Sequence, residues 1–324
     1  MDILWLSEKD VRSLLTMEEA MQAVEEAFRE HGLGRAQMPP KSYLYYPQGD
    51  LRTMPAYLEG RGSTGVKIVN VHPGNPEVGL PTVMALMVLN SSSTGAPLAA
   101  MGATYLTAMR TGAAGGVAAR LLSRPGSRVA GFVGAGAQAR TQLLALSRVL
   151  KLETVRVADV SMQRCRDFER ECRPILDCEY VLTTDIQEAC RCDVLVTTTP
   201  SRTPLVRSEW IEDGTHINAI GADAKGKEEL EAALLCRSRV VVDDMVQAVH
   251  SGEVNVPISQ GTYLQSQIHG QIGEVVAGKI SGREDDREIT IFDSTGLAIQ
   301  DVATATVVYE KARKSGRGTA LKFM

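Results

Sequence analysis

The sequence predicts an α/β protein in which a doubly wound parallel sheet is inserted into a second, α+β domain. Three observations carry that reading. A short apolar run, Val129 to Val133, ends in Gly134-Ala135-Gly136 and opens a helix. After it, strand and helix patterns alternate as far as Asp243, the signature of a parallel sheet covered on both faces. Before it, apolar and polar residues alternate between turn residues, as in an antiparallel or mixed sheet. The 324 residues are enough for two domains. We place the α+β domain at 1–115 plus 293–324 and the inserted sheet at 116–292.

Composition removes several function classes. A net charge of −4 argues against nucleic acid or an anionic membrane as the main partner. No run approaches the roughly 18 apolar residues of a membrane helix. The N-terminus, MDILWLSEKD, is acidic and carries no signal pattern, so a cytoplasmic protein is expected. All six cysteines lie in the second half without a C-x-x-C pair, and Cys190-Arg191-Cys192 is too tight for metal-finger spacing, which points to reduced thiols. The histidines show no His-x-x-x-His spacing, and no metal site is expected.

In chain order, Ser7 and Thr16 each precede an acid by three residues, Asp10 and Glu19, and read as helix caps. The second helix presents Ala20, Met21, Val24, Ala27 and Phe28 on one face and stops at Gly32 and Gly34. Alternation then marks strands at 41–45, 51–56, 65–70, 81–90 and 96–101. Lys41, Arg52 and Lys67 each bring one cation into an apolar strand; such a group must face solvent, an internal acid or an anionic ligand. Lys67 stands out, because VKIVNV is too apolar for a surface strand. Met109 to Ala119 is a helix of mostly small residues, which admits close approach of another backbone, expected to be the nucleotide-binding domain across a cleft. Arg110 and Thr111 at its start suit a carboxylate or phosphate.

The turn GAGAQA follows the G-x-G-x-x-A pattern of a Rossmann-type dinucleotide site. Gly134 permits the tight turn and Gly136 lets backbone approach a pyrophosphate at the helix N-terminus. The next strand, TVRVADV, delivers Asp159 twenty-three residues after Gly136, where an acid binds ribose hydroxyls and repels a 2′-phosphate. NAD is therefore expected over NADP, with Arg164 as the one feature favouring NADP. Further elements are a helix at 162–176, a strand at 179–183, a short helix at 185–191, strands at 193–198 and 215–221, a helix at 227–237 and a strand at 239–243. The strand ends carry Thr199, Ile220, Gly221 and Asp223, and ligands of such sheets lie beyond those ends. Asp223 reads equally as a site acid or as a helix cap. EITIF at 288–292 and a helix from Leu297 to Lys314 close the chain, returning it to the first domain.

The segments MPPKSYL, LRTMPAYL, GVKIVN, HPGNP, GLPTVMALMVLNSSSTGAPLA, MRTGAAGG, GFVGAGAQA, INAIGADAKGKEEL and IFDSTGLAIQD together resemble the ornithine cyclodeaminase and mu-crystallin family over essentially the whole chain, and in detail its archaeal-type alanine dehydrogenase branch. The resemblance implies a homodimer built through the N-terminal domain, which would also bind substrate, with NAD(P) in the Rossmann domain and hydride transfer at the α-carbon of an amino acid or its imine. By motif, Lys67 matches the catalytic lysine, Arg110 a ligand of the substrate carboxylate, and Asp223 the general base of the cyclodeaminases. Thr82, Arg110, Ala137, Gln138, Asp159, Thr199, Lys227 and Ser294 match cofactor-contacting positions. Where cyclodeaminases carry an acid for the distal amine, this chain has Leu51-Arg52-Thr53-Met54. Arg52 would repel a second ammonium, so a small substrate such as alanine is expected, with Arg52 and Lys41 available to its carboxylate. The resemblance leaves open ornithine cyclisation, cyclic ketimine reduction and a mu-crystallin-like ligand-binding protein.

Overall fold

A computed structural model describes residues 1–324, and the chain divides into two compact units, Met1–Arg110 with Leu297–Met324, and Thr111–Gly296. The chain first passes from one to the other inside the helix Thr104–Leu122.

The first unit holds a mixed eight-stranded sheet. Its order is Thr319–Lys322, Asp2–Leu6, Pro97–Gly102, Val83–Ser91, Ser63–Val71, Gly49–Leu58 and Ala36–Gln37, with Ser42–Tyr46 also paired to Gly49–Leu58. Only Asp2–Leu6 and Pro97–Gly102 run parallel. Side chains two apart share a face of a strand. Arg52, Met54, Ala56 and Leu58 are therefore buried on one face of their strand, and Met54 lies opposite Lys67 on the next. The helices Met17–Gly32 and Ala298–Ser315 pack on each other, and the latter packs against the Gly49–Leu58 and Ser63–Val71 strands. Both expected caps form reciprocal capping boxes, Ser7 with Asp10 and Thr16 with Glu19. Lys41 precedes its strand rather than lying within it.

The second unit is a Rossmann-type sheet, wholly parallel, in the order Glu179–Thr183, Thr154–Ala158, Val129–Val133, Val194–Thr197, His216–Ala219, Thr290–Asp293, Arg239–Val242 and Gly270–Gln271. Strand order reverses between Val129–Val133 and Val194–Thr197, and that switch point opens a crevice beyond their C-terminal ends. The helix expected at 227–237 does not form as one element. Glu228–Leu230 is instead a strand parallel to Arg202–Val206, followed by a helix only at Ala232–Cys236. Burial of Glu229 and Leu230 and pairing of Leu230 with Val206 override the local helical pattern. The small-residue helix is approached within this same unit: a Cβ on Gly112 would lie 2.4 Å from the Thr141 carbonyl oxygen of Ala137–Val149. No helix is long and apolar enough to cross a membrane.

Candidate active site

In the first unit two cations share one acid. Lys67 is wholly buried, and its Nζ donates to Asp301 Oδ1 at 2.7 Å. Arg110 Nε lies 3.0 Å from the same oxygen, while its Nη1 donates to Gln300 Oε1 at 2.8 Å. Asp301 reaches them because it stands one turn into the helix packed on the Lys67 strand. Burial, followed by the Arg110 charge, pulls the Lys67 pKa down to about 7; the Asp301 carboxylate opposes the shift and Lys41 adds to it. Sequence reasoning identified the cations and missed Asp301 and Gln300.

Arg52 is also buried, with Nε donating to Asp50 Oδ1 at 2.7 Å and Nη2 to Asp50 Oδ2 at 3.2 Å, and with its guanidinium carbon 5.4 Å from the centre of the Tyr43 ring. The sequence reading did not foresee this fork, which offsets the Arg52 charge with Asp50. Thr82 lies just before Val83–Ser91, and its carbonyl accepts from the His72 amide.

In the second unit the glycine turn has the expected form. Gly134 has φ +95°, and a Cβ there would come to 3.0 Å from Thr198 Oγ1 and Thr199 Cγ2. At Gly136 the space in front of Cα is open, and the backbone enters the helix Ala137–Val149, whose first turn holds Ala137 and Gln138. A cavity of about 460 Å³ lies there, lined among others by Gly134, Gly136, Asp159, Arg164 and Thr199. Its volume, the open approach at Gly136 and the helix N-terminus fit the pyrophosphate and adenosine end of a dinucleotide. Asp159 Oδ2 accepts from the Ala135 amide and Oδ1 from the Ser161 amide, each at 3.0 Å, which ties the acid to the turn and leaves each oxygen further acceptor capacity. Thr111 is buried, and its carbonyl accepts from Gln142 Nε2 at 2.9 Å.

Beyond the His216–Ala219 strand, Ile220 and Gly221 lead to Asp223, which accepts from Lys227 Nζ at 2.6 Å. Asp223 caps no helix, since the following element is the strand Glu228–Leu230. Beneath these loops runs a series of buried carboxylates that sequence reading did not identify. Glu229 accepts from Thr197 Oγ1 (2.7 Å) and from the amides of Thr199 (2.6 Å) and Gly221 (2.9 Å). Glu253 accepts from the amides of Glu229 and Leu230, and Asp293 from those of Glu253 and Val254. Burial raises the pKa of Glu229, and burial with the Glu229 charge raises that of Glu253 well above the usual range. Asp293 is pushed up to about 8, chiefly by burial. Ser294 follows it, with its amide donating to the Ala219 carbonyl.

These features define a class. Residues 1–316 match the model of the ornithine cyclodeaminase/mu-crystallin family, and the chain belongs to that family. It is 56% identical over 326 aligned positions to an alanine dehydrogenase of Archaeoglobus fulgidus, covering 100% of this chain and 99% of the relative. A solved archaeal alanine dehydrogenase dimer with bound NAD superposes with a TM-score of 0.97 at 56% identity, each chain fully covered. The Thermococcus litoralis Δ1-pyrroline-2-carboxylate reductase, solved with NADH and L-proline, superposes with a TM-score of 0.96 at 40% identity, covering 98% of this chain and 100% of the other.

Proposed function

We propose that the protein is an NAD-dependent alanine dehydrogenase, a homodimer that interconverts L-alanine with pyruvate and ammonia. The observation that carries the reading is the buried Lys67–Arg110 pair, which gives a small amino acid a cation for its carboxylate and an amine able to change protonation state near neutral pH. Full-length similarity to an alanine dehydrogenase supports it.

Arg110, aided by Lys41 and Arg52, pairs with the substrate carboxylate and fixes the α-carbon, so that orientation supplies part of the rate. NAD, when bound, supplies the acceptor for the α-hydrogen with its electron pair. On the resulting iminium, neutral Lys67 takes a proton from the attacking water. It returns that proton to nitrogen as the carbinolamine loses ammonia, with Asp223 as the second proton carrier. We assign the dinucleotide to Gly134, Gly136, Ala137, Gln138, Asp159, Thr199, Ile220, Gly221, Lys227 and Ser294, with Thr82, Arg110 and Thr111 as further contacts. Asp159 favours NAD over NADP, because a carboxylate repels a 2′-phosphate.

The test follows NADH absorbance with pyruvate and ammonium, beside NAD with L-ornithine assayed for proline. NADH loss that requires both pyruvate and ammonium supports the proposal. Proline formation without that activity would replace it with a cyclodeaminase.

A further inference from the structure

Two buried cationic side chains of the first unit, Lys67 and Arg110, share a single carboxylate. Lys67 and Arg110 come from different elements, a strand and a helix, and Asp301 comes from a third. One oxygen, Oδ1, meets both cations, at 2.7 and 3.0 Å, and Asp301 is itself wholly buried. Gln300, the preceding residue, takes the Nη1 edge of the same guanidinium and also accepts from the Leu297 amide at 3.2 Å. The start of one helix thus fixes the rotamers of both cations.

We propose that Asp301 is a positioning residue that aligns Lys67 and Arg110 and sets the protonation balance of Lys67. The inference rests on the dehydrogenase reading for its consequence in catalysis, while its physical content stands on the cluster alone. The largest charge effects on Lys67 besides that of Asp301 come from Arg110 and Lys41, both cationic; Arg52, on the neighbouring strand, is paired with Asp50. With Asp301 ionised, the ammonium has one compensating partner, and its other hydrogens remain for substrate. With Asp301 neutral, buried Lys67 and Arg110 face each other without the carboxylate that now lies between them, and the cheapest relief is loss of the lysine proton. The two directions of the reaction then respond with opposite sign. Amino-acid oxidation uses Lys67 first as a base and gains from a lower pKa at acid pH; imine reduction uses it as an acid and loses at alkaline pH.

The experiment titrates Lys67 directly, in full-length protein labelled with [ε-13C]lysine. The Lys67 resonance is assigned by its absence in Lys67→Met, and NADH binding verifies each variant. Asp301→Asn, which keeps the shape and one acceptor oxygen, is expected to move the Lys67 midpoint down by about 1–3 pH units, the effect of losing an opposite charge at contact. The acid limb of alanine oxidation should move with it. Asp301→Glu keeps the charge and displaces it; it is expected to hold the midpoint near wild type while kcat falls, and it carries the test if the asparagine variant does not bind NADH. An unchanged midpoint in Asp301→Asn overturns the inference, as does a midpoint in Asp301→Glu far below wild type. A wild type that shows the expected titration shift on Asp301→Asn but no turnover of alanine would refute the dehydrogenase reading and leave this role for Asp301 standing.

Discussion

Both units bury ionisable groups, and they satisfy them by different means. In the first, cations are held by a carboxylate, Lys67 and Arg110 by Asp301, and Lys67 keeps an amine able to exchange a proton near neutral pH. In the second, carboxylates are held mainly by backbone amides: Glu229 by Thr199 and Gly221, Glu253 by Glu229 and Leu230, Asp293 by Glu253 and Val254. Backbone amides do not titrate near neutral pH and act as fixed donors. These acids serve as clamps on the loops beyond the strand ends, and the contrast separates a cluster paired side chain to side chain from one tied mainly to the backbone.

The strongest way to break that contrast is Lys67→Met. It should lower kcat about 10²–10⁴-fold while NADH affinity, read by fluorescence titration, is unchanged. A large loss of NADH affinity instead would place Lys67 in nucleotide binding. Glu229→Gln is the complementary change. A glutamine presents an NH2 group to one of the amide or hydroxyl donors that Glu229 now satisfies, so unfolding free energy should drop by about 1–3 kcal/mol. Dinucleotide affinity should fall, with the pH midpoint of catalysis unmoved; a moved midpoint would mean that the clamp titrates with the reaction.

A smaller effect sharpens the comparison through pH. The folded-state pKa of Asp293, about 8, is raised above its unfolded value, so between roughly pH 4 and 8 the folded chain holds a proton that the unfolded chain has lost. Its contribution to stability therefore declines as pH rises through that window and is lowest above 8. Thermal midpoints without dinucleotide should show this decline, and Asp293→Asn should flatten it; a decline equally steep in the variant would assign it to other groups. Last, Thr16→Ala removes one cap and should cost about 1 kcal/mol in a urea titration, without changing either kcat or dinucleotide affinity.

Much of this architecture was legible because its signals are local. The capping boxes at Ser7 and Thr16, the turn at Gly134 and the alternation around Lys67 each lie within a few residues. What was missed depends on distant pairing. Asp2–Leu6 and Thr319–Lys322 pair across opposite ends of the chain, with no turn between them to mark a hairpin. Residues 227–237 read as helix because the burial of Glu229 is set by Thr197, Thr199 and Gly221 from other strands. Asp301 lies 234 positions from Lys67. Even so, the apolar setting of Lys67 demanded an internal acid or an anionic ligand, and an acid within the apolar helix AIQDVATA was the available signal.

The most direct test of the whole account uses L-[2-2H]alanine with NAD and follows the mass of the reduced dinucleotide, for wild type and Lys67→Met. Wild type is expected to place one deuterium in each reduced dinucleotide it forms, with release of pyruvate and ammonia, and the variant to be slower by orders of magnitude. Reduced dinucleotide without deuterium, or a variant as fast as wild type, would contradict that account.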